Sequence, residues 1–326
     1  MTYIVGIDIA KDKFDVCLLD DGGQAYHESL ANTKSGINKL HRWLKKHGAK
    51  TAHICLEATG IYGDLLAETM HQRGYTVSVI NPARIKAYGA SQMQRNKTDA
   101  LDAALIADYC RTQQPPAWTP PSPELKELRA LVGHLDDLKQ EKQRAHNRLG
   151  VQNASHAVAR QLRAQVKFLE KQIAQTKQLI RDHIDQFPDL KQQRDLLISI
   201  PGIGDMTACR LMAELGNMRR FTDVRAVVAF VGLNPRQHQS GKKQVTHGIS
   251  RMGRASVRAA LFMPAIVAKQ YNPRLKAWAE TLAQRGLTGK QIIVAVMRKL
   301  IHLAFGVLKS GHAFDPNYGQ KMRVAA

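Results

Sequence analysis

At 326 residues the chain is long enough for two domains and a connector, each burying a real core. Lys and Arg number 48 against 27 Asp and Glu, a formal net charge of +21, and the cations are spread over the whole chain rather than gathered in a tail. This excludes an ordinary cytosolic charge balance and implies a polyanionic partner, with a merely solubilising charge or an anionic membrane surface as the blander readings.

Residues 3–9 and 14–19 are dominated by β-branched and aromatic side chains and joined by Ala-Lys-Asp-Lys, which reads as a hairpin. Asp20-Asp21-Gly22-Gly23 is a second turn, after which 24–30 can supply a third antiparallel strand. Thr33 or Ser35 can cap a helix with Ile37, Leu40, Trp43 and Leu44 at helical spacing. A strand over 52–56, a helix over 62–73, a strand over 76–80 and a helix from Thr98 to about Thr112 complete an α/β order that matches a ribonuclease H fold.

Five prolines between Pro115 and Pro123 mark a linker, 114–124, closing a first domain of 1–113. Apolar stripes at Leu125, Leu128, Leu135 and Leu138, and at Leu162, Val166, Leu169, Ile173 and Ile180, predict a long antiparallel coiled-coil arm over 125–187. A mainly helical third part, 188–326, has Pro264 ending one helix and residues 291–307 forming a buried one. Cys17, Cys55, Cys110 and Cys209 are dispersed in apolar stretches, so they read as reduced core thiols, and no spacing suggests structural zinc. With no leader and no apolar run of bilayer-spanning length, a soluble cytoplasmic protein, not a membrane one, is expected.

Asp8 ends the first strand and Glu57 the fourth, and in a ribonuclease H sheet those strands are neighbours. Asp99 and Asp102, three apart, share one helix face. Four such carboxylates can converge into an oxygen-only site suited to Mg²⁺, with Mn²⁺ as the alternative; taken singly, a turn acid and a helix N-terminal acid explain them as well. Arg95 and Lys97, just before the last helix of the domain, face either a phosphate backbone or solvent.

In the C-terminal part, Ile200-Pro201-Gly202-Ile203-Gly204 between apolar helices resembles a helix-hairpin-helix, whose Gly202 and Gly204 would let backbone N–H groups meet a phosphate. Arg236, Ser240, Lys242 and Lys243 fall in a polar, cation-rich loop where a serine nucleophile would find positive charge, although an isolated Ser-Gly is ordinarily a turn. Arg251, Arg254 and Arg258 fall at i, i+3 and i+7, one face of a helix starting near Ser250 and suited to phosphates.

Jointly, Gly6-Ile7-Asp8, Leu56-Glu57-Ala58-Thr59-Gly60, Asn81-Pro82, Lys97-Thr98-Asp99-Ala100-Leu101-Asp102, Ile200-Pro201-Gly202-Ile203-Gly204 and Gly232-Leu233-Asn234-Pro235-Arg236 with Ser240-Gly241 carry a resemblance over nearly the whole chain. They resemble the insertion-sequence transposases with an N-terminal DEDD (RuvC-like) domain and a C-terminal serine domain. The resemblance implies a metal tetrad of Asp8, Glu57, Asp99 and Asp102, and Ser240 as a nucleophile joined covalently to DNA. It also implies donor and target DNA and a structured guide (bridge) RNA as partners, in the bacterial cytoplasm at the nucleoid. A homo-oligomer, dimer or tetramer, is expected because two DNA partners must be held at once. Ser250 is a nearby alternative serine that helix capping explains better. A junction-resolving nuclease using water, and a non-catalytic nucleic-acid scaffold, remain the competing readings.

Overall fold

Three strands rich in β-branched and aromatic residues, β1 (Tyr3–Ile9), β2 (Lys13–Leu19) and β3 (Ala25–Ala31), form an antiparallel meander. α1 (Lys34–Lys46) follows, its N-terminus capped by the Thr33 hydroxyl, which accepts from the Gly36 N–H. β4 (Ala52–Glu57) then pairs in parallel with β1, and β5 (Thr76–Ile80) in parallel with β4, with α2 (Asp64–Gln72) between them. The resulting sheet has the order β3-β2-β1-β4-β5. The computed structural model describes residues 3–58, 60–93, 98–151, 155–240 and 243–317.

The two faces of this sheet are covered differently. Val5, Ile7, Ile9, Phe14, Val16, Ile54 and Leu56 pack on Ile37, Leu40 and Leu44 of α1 and Leu66 and Met70 of α2. On the opposite face, Ile4, Cys17, Cys55 and Ile80 pack on Ala103, Ile106, Ala107 and Cys110 of α4 (Asp99–Gln113). A helix absent from the expected order, α3 (Pro82–Ser91), precedes α4. It exists because the Asn81 side chain accepts from the Ala83 N–H while Pro82 fills the first helical position, where its missing N–H costs nothing.

The chain divides between Pro120 and Pro121 into two units. In the second, α5 (Pro123–Leu149) and α6 (His156–Gln186) lie antiparallel, with the Lys142 ammonium 2.7 Å from Glu170 and His183 Nε2 2.7 Å from the Glu124 carbonyl. Leu128, Val132, Leu135, Ile180 and Ile184 of this pair enter one hydrophobic core with the helices that follow. Those are α7 (Pro188–Ile198), α8 (Asp205–Leu215), α9 (Val224–Val231), α10 (Ala255–Tyr271), α11 (Pro273–Gln284) and α12 (Gly289–Ser310). Arg210 of α8, nearly buried, makes a close ion pair with Asp136 of α5.

Three expectations for this unit are corrected. The segment around Ser240 is a β-hairpin, β6 (Pro235–Ser240) and β7 (Lys243–Ile249), rather than a loop. Pro264 lies inside α10 rather than ending it. Finally, α12 has the length and composition to cross a membrane, contrary to the expectation that no such run exists; its Ile292, Val296, Leu300, Ile301 and Ala304 are core residues of this unit.

Candidate metal centre and nucleic-acid interface

Register places the acids of the first unit. On the α4 face of the sheet, Cys17, Gly6 and Cys55 form one cross-strand row, since Gly6 pairs with both Cys17 and Cys55. Two residues further, Asp8 pairs with Asp15 of β2, and Glu57 follows Leu56, the partner of Ile7. Side chains two apart share a face, so Asp15, Asp8 and Glu57 form the next row, at the carboxyl ends of β1 and β4. All three are half-buried.

α4 brings its acids to this row through an unusually close approach. A Cβ on Gly6 would stand 2.2 Å from both the Ala103 carbonyl oxygen and the Ala107 nitrogen. Only glycine lets the helix lie that near β1, and Asp102 and Asp99 sit in the turn just before Ala103. The Thr98 side chain caps α4 by accepting from the Leu101 N–H.

The structure also brings two residues to the site that sequence reasoning missed. The Lys13 ammonium donates to Asp99 Oδ2 at 2.7 Å and lies 3.1 Å from Asp15 Oδ2. Hydrogen bonds to Asp99 and then Asp15 raise the Lys13 pKa. Asp15 faces Asp8 only through cross-strand register, and no spacing pattern along the chain announces that. Among the described residues no three acids bring an oxygen each within 4.8 Å of one another. A cation at Asp99 Oδ2 would compete with the Lys13 ammonium for that oxygen. The donor set, carboxylate oxygens from two strand ends and one helix turn, fits a hard divalent cation.

A different set does gather: the ligand atoms of His53, Cys55 and Cys110 lie within 4.8 Å of one another. It does not fit a metal. Cys55 and Cys110 are joined as a disulfide, which corrects the reading of all four cysteines as reduced; α4 lies directly on β4, and their Cα atoms are 6.0 Å apart. Ser78 Oγ donates to the Pro116 carbonyl at 2.8 Å, so the hydrogen between His53 Nε2 and Ser78 Oγ, 2.8 Å apart, belongs to His53. Burial lowers the His53 pKa, keeping the ring neutral. Cys17 and Cys209 are free and buried, and burial pushes their thiols up to about 11 and about 12.

In the second unit Ser240 ends β6, opposite Lys243 across the hairpin tip. Arg95, Lys97 and Lys242 lie outside the described residues, as do the side chains of Ser240 and Lys243. Arg236 is exposed on β6. Ser250 is not a helix cap: its Oγ donates to Asn234 Oδ1 at 2.5 Å and its N–H to the Asn234 carbonyl at 2.8 Å, closing the base of the hairpin.

The arginine stripe is corrected as well. α10 begins at Ala255; Arg251 lies before it with φ +56°, and Arg254 is its N-cap. Gly253, at φ +146°, interrupts the expected helical run, and a Cβ on it would stand 2.2 Å from the Phe230 carbonyl oxygen. Arg258 is spent internally, donating to the Val231 carbonyl at 2.8 Å at the C-terminal end of α9. The helix-turn-helix around Gly202 is present as α7 and α8. Gly202 packs against α10, where a Cβ would meet that of Ala268 at 2.5 Å, whereas Gly204, the N-cap of α8, opens to free space.

The chain is similar to known proteins along most of its length. A family model described as Transposase, of the IS110 DEDD type, matches residues 5–153, and one described as Transposase IS116/IS110/IS902 family matches residues 194–280. The Pilin gene-inverting protein of Moraxella bovis is 34% identical over 321 residues, covering 96% of this chain and 98% of that protein. The Transposase for insertion sequence element IS1111A of Coxiella burnetii is 25% identical over 313 residues, 86% of this chain and 83% of its own. The Transposase for insertion sequence element IS1328 of Yersinia enterocolitica is 24% identical over 346 residues, 96% and 98%. With its acids at the strand ends and a relative matched along almost its entire length, the chain belongs to the IS110/IS116/IS902 family of transposases, enzymes that rearrange DNA.

Proposed function

We propose that this transposase exchanges DNA strands by transesterification. Asp8, Glu57, Asp99 and Asp102 hold Mg²⁺, or Mn²⁺, in a ribonuclease-H-like (RuvC-like) domain, and Ser240 of the C-terminal part is the nucleophile. The observation that carries this reading is the half-buried pair Asp8 and Glu57 at adjacent parallel strand ends, with the acidic first turn of α4 brought to them over Gly6. The sheet order β3-β2-β1-β4-β5 supports the domain assignment.

When bound, divalent cations offset charge on the phosphodiester and on the oxygens that attack and leave. The Ser240 oxygen forms a bond to phosphorus as the bond from phosphorus to a sugar oxygen breaks, and that oxygen leaves with the serine proton. Attack by a sugar hydroxyl of the incoming strand reverses the step and restores Ser240, so no phosphodiester energy is lost to water. A hairpin is a suitable carrier, since it presents Ser240 at the end of a paired, stiffened segment. Arg95, Lys97, Arg236, Lys242, Lys243, Arg254 and the open turn at Gly204 supply backbone contacts.

A structured guide RNA pairs with donor and target DNA, and the net charge of +21 suits two nucleic acids at once. Holding both duplexes takes a dimer or tetramer. The α5–α6 arm is the assembly surface, supported by the exposed apolar Phe168 and Leu179 on α6. The reaction runs in the cytoplasm, at the nucleoid. Inversion of a DNA segment, which the name of the Moraxella relatives describes, is the same strand exchange between two sites on one molecule.

The test is to purify the full chain with its co-expressed flanking RNA and incubate it with Mg²⁺ and DNA spanning the element junction. A covalent protein–DNA adduct on a denaturing gel, lost in both Ser240→Ala and Asp8→Ala, is expected. Free cleaved strands persisting in Ser240→Ala would replace the serine nucleophile by water.

A further inference from the structure

Three arginines gather around the C-terminal end of α8, with the Glu214 carboxylate beside one of them. Arg129 of α5 donates from Nε to the Ala213 carbonyl at 2.7 Å, one of the acceptors a helix C-terminus leaves open. Arg254 lies with Nη1 3.7 Å from Glu214 Oε2, and its guanidinium is 5.7 Å from the centroid of the Phe230 ring. Glu214 is already engaged, since its Oε1 accepts from the Ser256 hydroxyl at 2.7 Å.

Arg220 completes the group. Its guanidinium lies 4.8 Å from the Phe221 ring centroid and 5.2 Å from that of Phe230. The side chain as a whole is exposed, yet the rings strip water from part of its head. That desolvation, followed by the like charges of Arg129 and Arg254, pulls its pKa below the ordinary arginine value. Among the described residues no acceptor is paired with its N–H groups.

Three like charges so placed repel one another, and an anion bound among them relieves that cost. A guanidinium steadied by two rings has also given up much of its rotamer freedom before any ligand arrives, and its planar fork matches two oxygens of a phosphate. We propose that Arg220, steadied by Phe221 and Phe230 and backed by Arg129 and Arg254, binds a phosphodiester group of the nucleic-acid backbone. The site lies in the unit that carries Ser240, close in sequence to its hairpin: Phe230, against which Arg220 and Arg254 both stack, precedes Pro235 by one short turn. The inference rests on reading the chain as a nucleic-acid enzyme, and it names a contact that reading does not contain.

The phosphodiester could come from DNA or from RNA, so the test uses both. Fluorescence anisotropy of the full chain with a duplex DNA and with an RNA duplex of the same sequence, between 50 and 200 mM NaCl, gives the slope of log affinity against log salt. For B-DNA each phosphate contact contributes about 0.9 to that slope, a little over threefold in affinity across this range. Arg220→Gln is expected to flatten the slope by about that much on one probe or both, and the probe affected identifies the source. Arg220→Lys is expected to keep the slope while weakening binding, because the charge remains and the fork is lost. Arg285→Gln, which removes an exposed charge just after α11, is expected to leave the slope unchanged.

Equal slopes for wild type and Arg220→Gln on both probes, or an equal loss in Arg285→Gln, would overturn the site. Should circular dichroism show Arg220→Gln to be unfolded, Arg254→Gln is judged by the same slope criterion. A wild-type protein with no salt-dependent binding to either probe would instead remove the underlying nucleic-acid reading.

Discussion

Replacing Gly6 by alanine tests the packing on which the acid site depends. The added Cβ would stand 2.2 Å from the Ala103 carbonyl oxygen and the Ala107 nitrogen and 2.8 Å from the Ala107 Cα. All three are backbone atoms of one helix, so no side-chain rotation can relieve them, and α4 must withdraw from β1 by roughly 1 Å to restore ordinary contact. Overpacking of cores usually costs about 1–3 kcal/mol. Here the retreat also loosens Cys17, Cys55, Ile106 and Cys110, which places the cost at the upper end of that range or above it, about 3–5 kcal/mol. Against a typical total of about 5–15 kcal/mol, that is a large fraction of the stability of the first unit. Urea unfolding followed by Trp43 and Trp118, both in that unit, reads the change as a lowered midpoint. Gly133→Ala on α5 of the second unit is the control for adding a methyl group elsewhere: nothing lies within 4 Å of its added Cβ, so the first unit's midpoint is expected to stay at the wild-type value. A Gly6→Ala midpoint equal to wild type would refute the close approach of α4, and with it the placement of Asp99 and Asp102.

Further outcomes follow from individual groups. Lys13→Met removes the ammonium that occupies Asp99 Oδ2, so Mn²⁺ binding read by electron paramagnetic resonance should tighten, and Lys13→Arg should leave it near wild type; unchanged or weaker binding in Lys13→Met would count against that competition. Burial lowers the pKa of His41, His53 and His302. The unfolded chain therefore binds their protons first, stability is full above about pH 6.5, and it falls as pH drops below that value; a flat melting temperature between pH 7.5 and 5.5 would contradict this. With thiols raised to about 11 and about 12, Cys17 and Cys209 should resist iodoacetamide at pH 8 until the protein is unfolded, and mass spectrometry showing rapid labelling of the folded protein would contradict their burial.

Much of the first unit was legible because its determinants are local. Period-two alternation marks the strands, and an acid closing an apolar strand is conspicuous, so Asp8 and Glu57 stand out on the chain itself. Strand 4 beside strand 1 followed from the order of elements. In the second unit the glycine turn between α7 and α8 was equally plain. The misreading of Arg251, Arg254 and Arg258 as one stripe had a warning in reach, since Gly253 sits inside the segment and takes positive φ.

What remained hidden depends on pairing across distance. Asp15 joins the acid row only through the register of β2 on β1, and a slip of one residue would turn it to the other face. Lys13 meets Asp99 across 86 positions, and Cys55 meets Cys110 across 55. Arg258 was expected to face a phosphate and instead binds the carbonyl end of α9, a partner that exists only once α9 and α10 have docked. Residue types and their local periodicity decide which elements form and which acids end them; which polar groups those elements then spend on one another, and which they leave for DNA, is settled by how helices and sheet close over a common core.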